Sequence, residues 1–202
     1  MNKYEILLED VKTRLDDFRY NHVYSVYRES AALADIFSLE ENDRDTLLTS
    51  AVLHDIAKPY DKKGQFELAE ELGISITGDD KESYKTIHAI TGAKLAKKLY
   101  PDDATEAVCD CIRWHCTGKA DMKLTEKLLF LADYIEPTRK FDDCIALRKY
   151  FYSLLEDGID RYEALDKALI FAYDLTIRQL IDDGANIHTE TVKARNFLLK
   201  RY

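Results

Sequence analysis

An all-α protein, a single helical bundle over residues 1–202, is what this chain predicts. Three observations carry that expectation. Apolar residues recur at helical spacing along most of the length. Only seven glycines and three prolines interrupt them, which favours helices joined by short loops over strands and turns. No internal repeat, low-complexity tract or obvious linker divides the chain, whose length suits one domain with a substantial core.

The elements follow in order. Ile6, Leu7, Val11, Leu15 and Phe18 start a helical stretch that continues through Val26 and Leu33. The polar "SLEENDRD" breaks it. A second helix then carries Leu47, Leu48, Ala51 and Val52 on its inner face, with Pro59 marking its end. "DKKGQFELAEELGISITGDDKES" is the least regular part, with a short helix around Phe66 to Leu72. It reads as a lid over a site or as a plain surface connection. Helix resumes from about Thr86 to Leu99 and closes before Pro101. The next begins at "DDATE", where Asp103 and Glu106 have N-cap and third-position spacing, and runs to about His115. "LTEKLLFLADYI", a helix near 143–156, and a pair over roughly 160–183 and 189–201 complete the chain.

Composition narrows the function. Apolar content of 46% and charged content of 33% are ordinary for a soluble globular protein. No apolar run approaches the roughly 20 residues that span a bilayer, and "MNKYEILLEDVKTRL" has no signal-peptide core, so a cytoplasmic location without membrane contact is expected. A net charge of −9 argues against a broad nucleic-acid surface. It leaves room for a small anionic ligand at a locally positive site. Cys109, Cys111, Cys116 and Cys144 are expected as reduced thiols, because Cys109 and Cys111 face different sides of one helix.

The histidines are unevenly placed. His22 lies late in the first helical stretch, His54-Asp55 ends the second, His88 opens the helix after the irregular segment and His115 closes the next. Asp133 sits inside the apolar "FLADYI", where an unpaired carboxylate is costly to bury. One such residue is usually structural. Four histidines and two aspartates on the apolar edges of successive helices have the donor types of a hydrolytic metal site, imidazole and carboxylate without thiolate.

In that order, His22, His54-Asp55 and Asp133 resemble the HD-domain metal-dependent phosphohydrolases, and His88 with His115 resembles their two-metal subset. The likeness sharpens to the YqeK family through "RYNHVYSV", "LLTSAVLHDIAK", "IHAITGAKLA", "RWHCTGKADM", "EKLLFLADYIEPTRKF" and "IHTETVKARNFLL". These stretches place the motif core at about 18–140, with helices over 143–202 packed on it. Ile-Thr within "HAITG" and Cys116 after His115 depart from the family pattern without touching a ligand position.

The resemblance implies a hydrolase that splits diadenosine tetraphosphate and related dinucleoside polyphosphates symmetrically into two nucleoside diphosphates. It implies one metal on His22, His54, Asp55 and Asp133, a second on His88 and His115, and Asp55 bridging them. Such a pair activates a water as hydroxide and neutralises phosphate. Iron is the family's metal; manganese and cobalt suit the donors equally by softness. The alternatives are an HD phosphohydrolase for a deoxynucleotide or cyclic dinucleotide, and a nucleotide-binding regulatory module without turnover. The partner is a small-molecule nucleotide, with a homodimer left open.

Around this set, Lys58 follows His54 at i+4 and is a candidate phosphate contact and catalytic residue beside Asp55; the alternative is a solvated lysine before a proline. Thr117 and Gly118 offer a hydroxyl and a backbone N–H to phosphate, or simply stop a helix. Arg139 offers a two-pronged grip on phosphate or an ion pair with an acid such as Glu136. Arg19 reaches either a phosphate or an acid. Lys119 is expected to be solvated, His188 to cap or pack a helix start, and Arg195 with Asn196 to organise the end of the fold.

Overall fold

A computed structural model describes residues 2–76 and 78–201; Thr77, inside the segment read as a lid or connection, lies outside the described residues. The architecture is all-α. In chain order the helices are α1 (Lys3–Lys12), α2 (Asp17–Ile36), α3 (Glu41–Leu53), α4 (Lys62–Glu71), α5 (Gly78–Glu82), α6 (Ile87–Leu99), α7 (Glu106–Trp114), α8 (Leu124–Ile135), α9 (Asp142–Glu156), α10 (Arg161–Asp182) and α11 (Thr189–Leu199), with a 3-10 turn at Tyr84–Thr86 before α6. None of the helices is long and apolar enough to cross a membrane, among the described residues.

The expected first stretch is two helices. Asp16 adopts extended backbone angles and its carboxylate accepts the Arg19 N–H at 2.7 Å, which starts α2 afresh. The restart places Arg19 and His22 in the opening turns of α2. The second helix also stops earlier than Pro59, at Leu53. Residues 54–60 wind in tighter turns, with Ile56 N–H donating to Leu53, Lys58 to Asp55 and Tyr60 to Ala57. Lys58 therefore stands over Asp55 instead of at i+4 on a continuing α-helix. Thr105, not Asp103, caps α7 through the Val108 N–H, because residues 103 and 104 are already tied back to the Tyr100 carbonyl.

Two clusters of buried apolar side chains share α2 and α3. One draws Leu33, Leu47, Leu128, Leu131, Leu147, Phe151, Leu169 and Tyr173 from α2, α3 and α8 to α10, with Ala194 and Leu198 of α11. The other draws Leu7, Val11, Val23, Val52, Leu53, Leu68, Leu95 and Ile112 from α1 to α4, α6 and α7. In α8, residues from Thr125 to Ala132 are buried without interruption, so this helix is enclosed on all sides.

The irregular segment is tied down at both ends. Gln65 of α4 donates to the Ala57 carbonyl at 2.5 Å and accepts from Thr91 of α6 at 2.6 Å. Asp80 of α5 meets Arg113 of α7 at 3.1 Å and His188 at 3.2 Å. His188 itself caps α11 by accepting the Glu190 N–H, and Arg195 pairs with Asp174 of α10.

Candidate metal centre

Six side chains meet where the ends of α3, α6 and α7 face α2 and α8. His54 is fully buried; Asp55, His88 and His115 are each 3% exposed and His22 is 8% exposed. Three imidazoles are oriented by their own backbone. The Nδ1–H of His54 donates to the Ala51 carbonyl at 2.8 Å, that of His88 to Lys85 at 2.9 Å and that of His115 to Ile112 at 2.7 Å. A carbonyl can only accept, so each Nδ1 carries the proton and each Nε2 turns a lone pair inward. The same local device, a histidine at a helix end bonded to the carbonyl three residues back, is used three times.

His22 is held differently. Its Nδ1 faces the Glu136 carboxylate at 3.1 Å and its Nε2 faces Asp133 at 3.0 Å. Burial alone would lower its pKa, but the two carboxylates prevail and raise it to about 9. Glu136 is completely buried, and its ionised form also accepts from the Thr138 N–H and hydroxyl, each at 2.6 Å. Against the cost of burial, these donors and His22 bring its pKa down to about 2. Arg148 of α9 fastens this turn by donating to the carbonyls of Glu136 at 2.6 Å and Arg139 at 3.1 Å.

The distances divide the donors into two groups joined by one carboxylate. In the first, His22 and His54 Nε2 are 3.4 Å apart, and Asp133 Oδ1 lies 3.0 and 3.8 Å from them. Asp55 Oδ2 is 3.9 Å from each of those nitrogens. In the second, His88 and His115 Nε2 are 3.3 Å apart, and Asp55 Oδ1 lies 3.3 and 3.8 Å from them. Two nitrogens sharing a cation at about 2.05 Å stand about 2.9 Å apart at a right angle and about 3.3 Å apart at the tetrahedral angle. The observed spacings suit shared cations.

At His54 and the two aspartates the electrostatics agree with the donor chemistry, whereas at His22 and His115, whose pKa values are raised, a cation would displace a proton. His54 is lowered to about 4, chiefly by burial, which keeps it in the neutral, metal-binding form. Burial would raise both aspartates, yet His54, His88 and Lys58 hold Asp55 well below the usual range, and Arg139 with His22 does the same for Asp133. The residues present therefore fit divalent metal.

The surrounding cations have more definite positions than the sequence indicated. Lys58 Nζ donates to His88 Nε2 at 3.0 Å. Arg19 meets Asp55 Oδ2 at 3.0 Å. Arg139 pairs with Asp133 Oδ1 at 2.6 Å, and not with Glu136. Thr117 and Gly118 are not brought to the site as phosphate donors. The Thr117 hydroxyl is buried on the Gly118 carbonyl at 2.9 Å, and the Gly118 N–H closes the end of α7 on Trp114 at 2.8 Å. Gly118 has φ +64°, and a methyl there would overlap the Tyr173 hydroxyl, so this glycine stops a helix and seats α10. Lys119 is only partly exposed and pairs with buried Glu126 at 2.8 Å. Two further side chains lie against the donor set. The sequence offers Glu136 as a partner for Arg139, but an acid before Pro-Thr also has the spacing to take the Thr138 N–H. Cys116, expected only as a reduced thiol that departs from the family pattern, has its sulfur 3.3 Å from His88 Nε2 and 3.2 Å from His115 Nε2.

A family model described as HD domain matches residues 19–138, which hold all six donors and Arg19. The chain belongs to the HD domain family. Over nearly its whole length it is also similar to proteins named symmetrical bis(5'-nucleosyl)-tetraphosphatase. The one from Bacillus subtilis is 32% identical, with 98% of each chain covered, and that from Halalkalibacterium halodurans is 30% identical, with 95% of each covered. A crystal structure of a predicted HD superfamily hydrolase involved in NAD metabolism, from Clostridium acetobutylicum, superposes with a TM-score of 0.84 at 31% identity and covers both chains completely.

Proposed function

We propose that this protein is a metal-dependent hydrolase that splits dinucleoside tetraphosphates, diadenosine tetraphosphate among them, at the central phosphoanhydride. Water adds across that P–O–P bridge and both products are nucleoside diphosphates. The observation that carries the reading is the placement of Asp55, with one oxygen towards His22 and His54 and the other towards His88 and His115. The names of the relatives supply the substrate.

In this reading His22, His54, Asp55 and Asp133 hold one metal, and Asp55, His88 and His115 hold the other. Iron is the metal proposed, on the family resemblance; manganese and cobalt fit the same donors. When bound, such a pair activates water and neutralises the attacked phosphoryl group.

The chain's own residues do the rest. Glu136 holds the His22 imidazole with its Nε2 inward. Arg139 fixes Asp133, and Arg19 steadies the Asp55 oxygen on the His22 side. Lys58 shares the His88 lone pair that a cation would take, so loading the site frees its ammonium to meet a substrate phosphate oxygen.

The test is product analysis with diadenosine tetraphosphate and chelator-free protein of measured metal content. ADP alone supports the reading, whereas AMP with ATP contradicts it. Full metal occupancy without turnover would turn it towards a nucleotide-binding module. Asp55→Ala should lose metal and activity together.

A further inference from the structure

We propose that Cys116 is a direct ligand of the second metal, which makes that site a mixed nitrogen and sulfur centre. The inference rests on the two-metal reading and adds a donor of a different chemical kind.

Three facts of geometry support it. The Cys116 sulfur and the Nε2 atoms of His88 and His115 all lie within 4.8 Å of one another, with sulfur-to-nitrogen distances of 3.3 and 3.2 Å. Sulfur and nitrogen sharing one ion at about 2.3 and 2.05 Å stand about 3.1 Å apart at a right angle and about 3.6 Å apart at the tetrahedral angle. The observed pair of distances lies inside that range. Finally, both histidines hold their only N–H on a backbone carbonyl. Lys58 donates to His88 Nε2, which leaves the Cys116 S–H to His115 Nε2, and sulfur and the two nitrogens converge on one point. A cation satisfies all three donors.

The other thiols have different places. Cys111 and Cys144 are buried in the apolar core, and Cys109 points at the carbonyls of Ala93 and Ala104. On binding, a sulfur–metal bond forms, the S–H bond breaks and its proton passes to solvent. The loaded site then carries one more negative charge than imidazole and carboxylate alone provide. A thiolate also shifts preference away from manganese and magnesium towards iron, cobalt and zinc.

The test uses the full-length, metal-free protein titrated with Co(II) in the absence of oxygen. Two bound cobalt ions should give visible ligand-field bands and an intense near-ultraviolet sulfur-to-cobalt charge-transfer band. Cys116→Ser should keep two cobalt ions and native circular dichroism but lose the near-ultraviolet band, and Cys109→Ser should keep it. X-ray absorption of zinc-loaded native protein gives a second reading that needs no variant, a sulfur shell at about 2.3 Å. Two cobalt ions without the band, or a band that persists in Cys116→Ser, would overturn the sulfur ligand and leave the two-metal reading standing. Failure to bind cobalt at all would overturn both.

Discussion

Glu136→Gln tests whether a residue that touches no metal in the proposed arrangement still governs one. Glutamine keeps the length and volume of glutamate but replaces one acceptor oxygen with an NH2 group. In the native chain one carboxylate oxygen takes His22 Nδ1 and the Thr138 hydroxyl, and the other takes the Thr138 N–H. Whichever way the amide is turned, its NH2 confronts a donor. A buried donor left unsatisfied costs about 1–3 kcal/mol. At roughly 2–4 °C per kcal/mol for a chain of this size, the metal-free protein should melt about 2–12 °C lower. The loss of the charge behind His22 also makes Nε2 a poorer base. Removing such a carboxylate typically weakens metal affinity about 10- to 100-fold, or about 1.4–2.7 kcal/mol. The assay is competition with a coloured chelator, run alongside thermal melts. Only the class of metal sites that contains His22 should weaken, and activity should return at high metal concentration. If that affinity stays within about threefold of the parent while the melting point falls, the orienting role of Glu136 is refuted and only a structural one survives.

Other expectations are sharper in sign than in size. Gly118→Ala forces a side chain into positive φ and against the Tyr173 hydroxyl, so thermal unfolding should show a loss of about 3 kcal/mol or more; an unchanged melting point would show that α10 is not seated there. Lys58→Ala should leave metal content intact and reduce kcat/KM for the tetraphosphate by about 10- to 100-fold, the worth of one charge-assisted bond to phosphate. Equal turnover in the two proteins would return Lys58 to a structural role. Burial pushes the thiols of Cys111 and Cys144 up to about 12. Mass spectrometry after mild alkylation of the metal-free chain should therefore find both unmodified while Cys116 reacts, and rapid labelling of Cys111 would contradict the packing.

The parts of the fold that were legible in the sequence are those where one local rule decides. The apolar period of "LTEKLLFLADYI" gave α8 its place, and the ranges expected for α9 to α11 agree to within a residue or two. The misses occur where two local rules compete. Apolar spacing runs straight through Leu15, yet Asp16 wins by capping Arg19 and divides α1 from α2. Pro59 signals a helix end, but the chain has already tightened at His54, where the imidazole takes the Ala51 carbonyl. The six donors stood out because histidine and aspartate are expensive on apolar faces. Glu136 did not, since an acid after a helix looks solvated until Thr138 and His22 close on it. Cys116 was hidden for the opposite reason: a cysteine is at home among apolar neighbours, and only distances reveal its two imidazoles.

The three backbone-anchored imidazoles carry a consequence for exchange. A ligand that must be ordered by its ion loses rotamer freedom when the ion binds, and unloading releases a flexible pocket. Here that freedom is already removed by the helix ends of His54, His88 and His115. The ion enters a finished frame, so stripping with a chelator and reloading with a different cation should be reversible without refolding. The cell's supply of cations, more than the pathway by which the chain folds, then decides which one is carried.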